Sequence, residues 1–198
     1  MTSKKNKVIK FGRFRYAAAS AIAGVIVLLC FAQPVSNEQQ VFDSNFVAYE
    51  DAISSDLDLM LNTRSTGGED DAVTKSMRGL KKGMEAYNSQ QYEVSAVAFE
   101  KYLAENPEAN DFNQVDFYLA VSYISTNKTT EATQKLEHLT EIKNPTIKED
   151  AKWYLALVYA RQGEKTAAKT LLADLQSSEK YGAKANKILN PTRRTTFK

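Results

Sequence analysis

Apolar positions along this chain recur with helical spacing inside a longer period. The stretch 152–175, KWYLALVYARQGEKTAAKTLLADL, falls on 116–139, DFYLAVSYISTNKTTEATQKLEHL, after a shift of 36 residues. Tyr154, Leu155, Ala156, Tyr159, Thr166, Ala168, Leu172 and Leu175 then meet Tyr118, Leu119, Ala120, Tyr123, Thr130, Ala132, Leu136 and Leu139. Trp153 meets Phe117, and Leu157 meets Val121. Such a period, with a 3.6-residue spacing inside each copy, predicts stacked helical hairpins and an all-α fold. A more divergent copy precedes these two. Its first helix covers 71–88, with Met77, Leu80, Met84 and Tyr87 on one face. Its second covers 92–104, with Val94, Val97, Ala98, Phe99, Tyr102 and Leu103 apolar, and Pro107 closes it.

The next hairpins are predicted over about 111–141 and 145–175, the latter opening on Pro145, a residue suited to a first helical turn. A short helix over 178–189, with Tyr181, Ala185, Ile188 and Leu189, reads as the cap that a row of repeats needs at its open end. Small residues stand where the helices of a hairpin should cross: Gly83, Ala120 and Ala156 on the first helices, Ser95, Ala132 and Ala168 on the second. Bulky ones fill the space between: Tyr123, Tyr159, Phe99, Leu136 and Leu172. The turn calls for a left-handed residue, which Gly163 supplies without steric cost and Asn127 tolerates; the first hairpin has Gln90 there, a poor former. Alternating runs are short and sit inside helical patterns, so no strand is predicted.

The N-terminal part differs. Residues 16–32, YAAASAIAGVIVLLCFA, carry no charge and reach the ~17-residue lower limit for spanning a bilayer. Lys4, Lys5, Lys7, Lys10, Arg13 and Arg15 precede them with no acid between. That asymmetry keeps the head cytoplasmic and sends the remainder across the membrane. The segment reads as an uncleaved single-pass signal anchor; the alternative is a secretory signal cleaved after Ala32. From 33 to 70 the chain is acidic. There Phe42, Phe46, Tyr49 and Ile53 form a stripe at helical spacing, predicting a short aromatic amphipathic helix, and Gly67-Gly68 breaks the pattern. The layout is therefore a basic head (1–15), a transmembrane anchor (16–32), an acidic linker with the aromatic helix (33–70) and a helical domain (71–190). That domain divides into hairpins at about 71–108, 109–143 and 145–177 and a cap at 178–190. A basic, disordered tail (191–198) follows.

The order small, aromatic, glycine, small, large, proline over residues 76–178 resembles the tetratricopeptide repeat, with Gly163 as the turn glycine and Pro107 as a terminal proline. The period of 36 to 37 is longer than the family's 34, and Phe117 and Trp153 stand one place later than its usual tryptophan. WYLALVYARQGEKTAAKTLLADL with KYGAKANKIL, together with VFDSNFVAYEDAI, is similar to membrane-anchored tetratricopeptide proteins of Bacteroidetes-type bacteria. The resemblance implies an envelope scaffold with its repeats outside the cytoplasm, in the periplasm, and a concave groove lined by the first helices. By family geometry that groove holds Met77, Leu80, Met84, Tyr87, Phe117, Val121, Ile124, Trp153, Leu157 and Arg161. Such an apolar groove suits an amphipathic helix, and only Arg161 there is cationic. The stripe Phe42, Phe46, Tyr49, Ile53 needs cover and the groove needs filling, so the tether helix is expected to dock there intramolecularly.

Candidate chemistry is sparse. One cysteine, Cys30, and one histidine, His138, exclude an intrachain disulfide and a zinc site built from Cys and His. No phosphate-cradling glycine loop occurs. Glu69-Asp70-Asp71 and Glu149-Asp150 read as favourable charge near helix N-termini. The net charge of +2 gives no reason to expect nucleic acid. The reading is a non-enzymatic, membrane-tethered scaffold for a protein or peptide partner, without cofactor or metal; homo-oligomerisation is left open. The alternatives are a regulatory or signalling subunit of the cell envelope and, after cleavage, a secreted periplasmic protein.

Overall fold

The structure is a computed structural model that describes residues 37–64, 71–107 and 113–191. Contacts divide the chain into units Met1–Ser36 and Asn37–Lys198. The first unit lies outside the described residues, and with it the basic head and the anchor over 16–32; so do Gly67-Gly68 and the tail from 192. No described helix is long and apolar enough to cross a membrane.

Nine helices and no strand are found among the described residues. They are α1 (Asn37–Asn45), α2 (Ser54–Arg64), α3 (Ala72–Asn88), α4 (Tyr92–Glu105), α5 (Asn113–Ser125), α6 (Thr129–Thr140), α7 (Pro145–Gln162), α8 (Lys165–Asp174) and α9 (Gly182–Leu189). From α3 to α9 each helix packs on the next, and α5 also packs on α7. The hairpins α3–α4, α5–α6 and α7–α8 thus stand in a row closed by α9.

Local chemistry sets the ends. Asp71 caps α3 by accepting from the Thr74 N–H at 2.7 Å. Asn144 does the same for α7, taking the N–H groups of Thr146 and Ile147, with Pro145 in the first turn. Each hairpin turns through a left-handed residue: Gln90 (φ 60°), Asn127 (φ 59°) and Gly163 (φ 82°). The next residue's N–H closes the same bond back into the helix in all three, Gln91 to Ala86 (2.8 Å), Lys128 to Tyr123 (2.9 Å) and Glu164 to Tyr159 (2.9 Å). Gln90 therefore adopts the conformation its side chain disfavours, because the hairpin requires it. α9 begins at Gly182 rather than at 178. Residues 175–181 fold back so closely that a Cβ on Gly182 would lie 2.6 Å from the Gln176 carbonyl oxygen.

The core runs through all three hairpins, with Leu80, Met84, Phe99, Ala120, Val121, Leu136, Leu139, Ala151, Leu157 and Val158 fully buried. Neighbouring hairpins are also held in register by polar pairs. The Tyr123 hydroxyl donates to Glu100 (2.7 Å), and one period later Tyr159 donates to Glu137 (2.5 Å). Ser95 and Ser122, buried between α4 and α5, share a hydroxyl bond of 2.9 Å.

Two glycines of α3 make opposite predictions. At Gly83 a Cβ would sit 2.9 Å from the Ala98 Cβ and 3.0 Å from the Phe99 ring, whereas nothing lies within 4 Å at Gly79. Gly83→Ala is expected to destabilise, since overpacking of about 1–3 kcal/mol outweighs a helix-propensity gain of up to ~1 kcal/mol. Gly79→Ala should stabilise by about 0.5–1 kcal/mol. Opposite shifts of the urea midpoint would show this. Gln90→Gly should raise the midpoint by the equivalent of about 1 kcal/mol through relief of the left-handed strain, and Asn127→Gly should raise it by less.

Candidate functional site

Residues 42–61 lie across the first helices of the three hairpins. α1 packs on α7 and α2 on α3, so the segment runs from the third hairpin back to the first. It is not one amphipathic helix. α1 stops at Asn45 after a last bond from the Phe46 N–H to the Phe42 carbonyl (2.8 Å), and residues 46–53 are non-helical until α2 begins at Ser54. An isolated helix this short is marginal, and the carbonyls released beyond it find better partners.

Those partners are three tyrosines, one from each first helix. Tyr154 donates its hydroxyl to the Val47 carbonyl (2.6 Å), Tyr87 to that of Tyr49 (2.9 Å) and Tyr118 to that of Glu50 (2.9 Å). The Tyr118 oxygen also accepts from the Ala52 N–H at 2.8 Å. At the far end Asp51 accepts from Asn88 (2.5 Å) and caps α2 through the Ile53 and Ser54 N–H groups. Burial opposes its charge, but the bonds from Ser54 and Asn88 prevail and hold the carboxyl below its ordinary pKa. Asp58 pairs with Lys81 at 2.5 Å.

The side chains of the segment seat in sequence. Phe42 is buried, stacks on Phe46 at 4.9 Å and lies 4.3 Å from the Arg161 guanidinium. That cation–π contact is held by bonds from Arg161 to Thr129 (3.1 Å) and, longer, to the Ile124 carbonyl and Asn127. Phe46 meets the Tyr154 ring edge-on at 6.0 Å. Tyr49 enters a nest of rings, with Phe117 at 4.8 Å, Tyr118 at 5.9 Å and Tyr154 at 6.4 Å. Ile53 is half-buried against the core.

Beside Tyr49 lies Asp150, 1% exposed on α7. Its Oδ1 accepts from Lys180 and from the Tyr181 hydroxyl, both at 2.6 Å, while Oδ2 is buried without a bonded donor. The Lys180 ammonium lies 4.8 Å from the Tyr49 ring and 5.2 Å from that of Tyr181. Burial, and after it Asp150, raises the pKa of both the Tyr49 and the Tyr181 phenols. Asp150 sits in the second turn of α7, so its role is that of a buried acceptor rather than a charge at the helix start.

Of the residues expected to line the groove, Tyr87, Phe117 and Arg161 touch the segment. Trp153 stacks instead on Tyr181 at 4.9 Å, toward the cap. Met77, Leu80, Met84, Val121, Ile124 and Leu157 are buried in the shared core. Tyr118 and Tyr154, one place after Phe117 and Trp153, make the hydrogen bonds to the segment. Their equivalence across one period was visible in the sequence; that they face the segment was not. His138 is exposed, and among the described residues no cluster of His, Cys, Asp or Glu assembles as a metal set.

Residues 150–178 match the tetratricopeptide repeat family. The match covers most of the third hairpin, from Asp150 through α8. Repeats of this kind stack hairpins to create extended surfaces for binding. Neither curated proteins nor solved structures give a match to the chain.

The buried phenols make the fold sensitive to alkali. Burial pushes Tyr118 up to about 12 and raises Tyr87 and Tyr154 as well, against an ordinary 10.0. A phenol whose folded pKa is raised contributes fully below the unfolded value, and its contribution is lost as pH climbs from there through the folded value. Stability should therefore fall steeply above pH ~10, through about 12 for Tyr118. Phenolate absorbance near 295 nm should rise later in the folded chain than in denaturant.

Proposed function

We propose that this chain is a non-enzymatic scaffold that takes a protein or peptide partner on the face lined by α3, α5 and α7. Its own residues 42–53 hold that face until the partner displaces them. One observation carries the reading: three tyrosine hydroxyls from three successive hairpins converge on carbonyls of a single crossing segment. Ordinary core packing does not call for such a row. Because the contacts go to main chain, the partner segment favoured is extended rather than an amphipathic helix. Tethering through residues 65–70 gives the resident segment an effective concentration on the order of millimolar. A partner must therefore bind tightly or be locally concentrated.

The uncharged stretch 16–32 behind a basic head supports a tether in a bacterial inner membrane, with the hairpins on the periplasmic side. Resemblance of the third hairpin and cap to membrane-anchored repeat proteins supports the same placement.

Pull-down from solubilised membranes of the native host checks the reading. The full chain bearing Phe42→Ala and Phe46→Ala should enrich a protein that the wild type captures weakly. Adding Tyr118→Phe should remove that protein while helical circular dichroism stays unchanged. Equal capture by all three forms would argue that this face is structural only. The tether predicts retention of the wild-type chain in the pellet after carbonate extraction.

A further inference from the structure

The junction of α7 with the cap carries more than packing. Asp150, Trp153 and Tyr154 stand at i, i+3 and i+4 on α7, so they share one face. Trp153 holds the Tyr181 ring by stacking at 4.9 Å and an interplanar angle of 13°. Tyr181 and Lys180 together fix Asp150 Oδ1. The second oxygen, Oδ2, is buried and lacks a bonded donor. An unmatched carboxylate oxygen costs free energy unless something donates to it. Tyr49 of the crossing segment is inserted beside it, its ring flanked by Phe117 and lying 4.8 Å from the Lys180 ammonium. A cation against the ring face, an aromatic edge beside it and a buried carboxylate with which the hydroxyl interacts together suit a phenol.

We infer that Asp150, Lys180 and Tyr181 form a tyrosine-reading socket, so that the partner segment displacing residues 42–53 is extended and places a tyrosine where Tyr49 now sits, behind an aromatic residue in the place of Phe46. This rests on the reading of the face as a binding surface and adds the feature that selects among extended segments. The spacing follows from the occupant: Phe42, Phe46 and Tyr49 fill three successive seats while Val47 and Glu50 supply only carbonyls. Phenylalanine would fill the ring seat but lose the phenol's interaction with the Asp150 side chain. A phosphotyrosine would set a dianion against a buried carboxylate and be rejected.

Fluorescence anisotropy with labelled synthetic peptides tests this on the full chain carrying Phe42→Ala and Phe46→Ala, with Phe46→Ala alone as the milder receptor if the double variant loses helicity. The peptide of residues 38–55 should bind either variant about tenfold or more tightly than it binds wild type, whose own segment competes. Its Tyr49→Phe form should bind about three- to tenfold more weakly, as loss of the phenol's polar interaction with Asp150 implies. Asp150→Asn in the receptor should shrink that difference, as coupling of the two groups requires. Equal binding of the Tyr and Phe peptides, or of a peptide with the same residues respaced, would overturn the socket. Preferential binding of an amphipathic helical peptide would also overturn it and leave the scaffold reading standing. No binding of any peptide to a helical receptor would remove both. Self-association of the variant without peptide uptake would overturn it in favour of exchange between copies.

Discussion

A hydroxyl taken out of water must find an acceptor, and a helix has few to offer. Its interior carbonyls are already committed to N–H groups four residues on. Tyr87, Tyr118 and Tyr154 carry their hydroxyls onto a face made wholly of helices, where neighbouring backbones cannot answer them. The chain supplies the acceptors by laying a non-helical segment across that face. Its carbonyls at Val47, Tyr49 and Glu50 are free because no helix claims them. The same requirement explains why α1 ends where it does. Continuing it through residues 46–53 would withdraw those carbonyls and leave three phenols unanswered. A net gain of about 0.5–1.5 kcal/mol for each bond made, and a penalty of similar or larger size for each left unmade, decides the conformation of eight residues.

The hairpin row beneath was legible because its causes are local and repeated. The shift of 36 residues brought Ala120 onto Ala156 and Leu136 onto Leu172, and the structure puts all four in the core. Gly83 was recognisable as a close crossing, and a Cβ there would lie only 2.9 Å from that of Ala98. Gln90 looked wrong for a hairpin turn and turns all the same, with a positive φ. There the geometry demanded by two packed helices overrides a residue preference worth about 1–2 kcal/mol.

What could not be read depended on distant partners. The stripe Phe42, Phe46, Tyr49, Ile53 has helical spacing, and its rings do turn to one surface. Spacing alone cannot distinguish a helix from a bent segment whose aromatic residues are each pulled into a seat. Phe117 and Trp153 drew attention as the bulky residues beside the family's tryptophan position, yet their neighbours Tyr118 and Tyr154 make the polar contacts. A step of one position turns a helical residue by 100°, enough to aim it at a different neighbour although all four are buried. Asp150 read as a charge near a helix start, and its burial could not be foreseen. It stands in a run of charged residues, and the groups that make it a buried acceptor, Lys180 and Tyr181, come 30 and 31 residues later.

Those late residues also tie the two ends of the described chain together. The cap seals the last hairpin by stacking Tyr181 on Trp153, and in doing so brings Lys180 over Tyr49. The crossing segment therefore rests partly on the cap as well as on the repeats. Removing the segment takes a ring from beneath Lys180 and admits water to a carboxylate that is 1% exposed. Loosening the cap takes both donors from Asp150 Oδ1 and leaves a bare charge beside the Tyr49 phenol. Each event makes the other easier, since both draw on one buried anion whose unpaired state is the costly one. Seating of residues 42–53 and order at the far end of the row are thereby linked thermodynamically through Asp150.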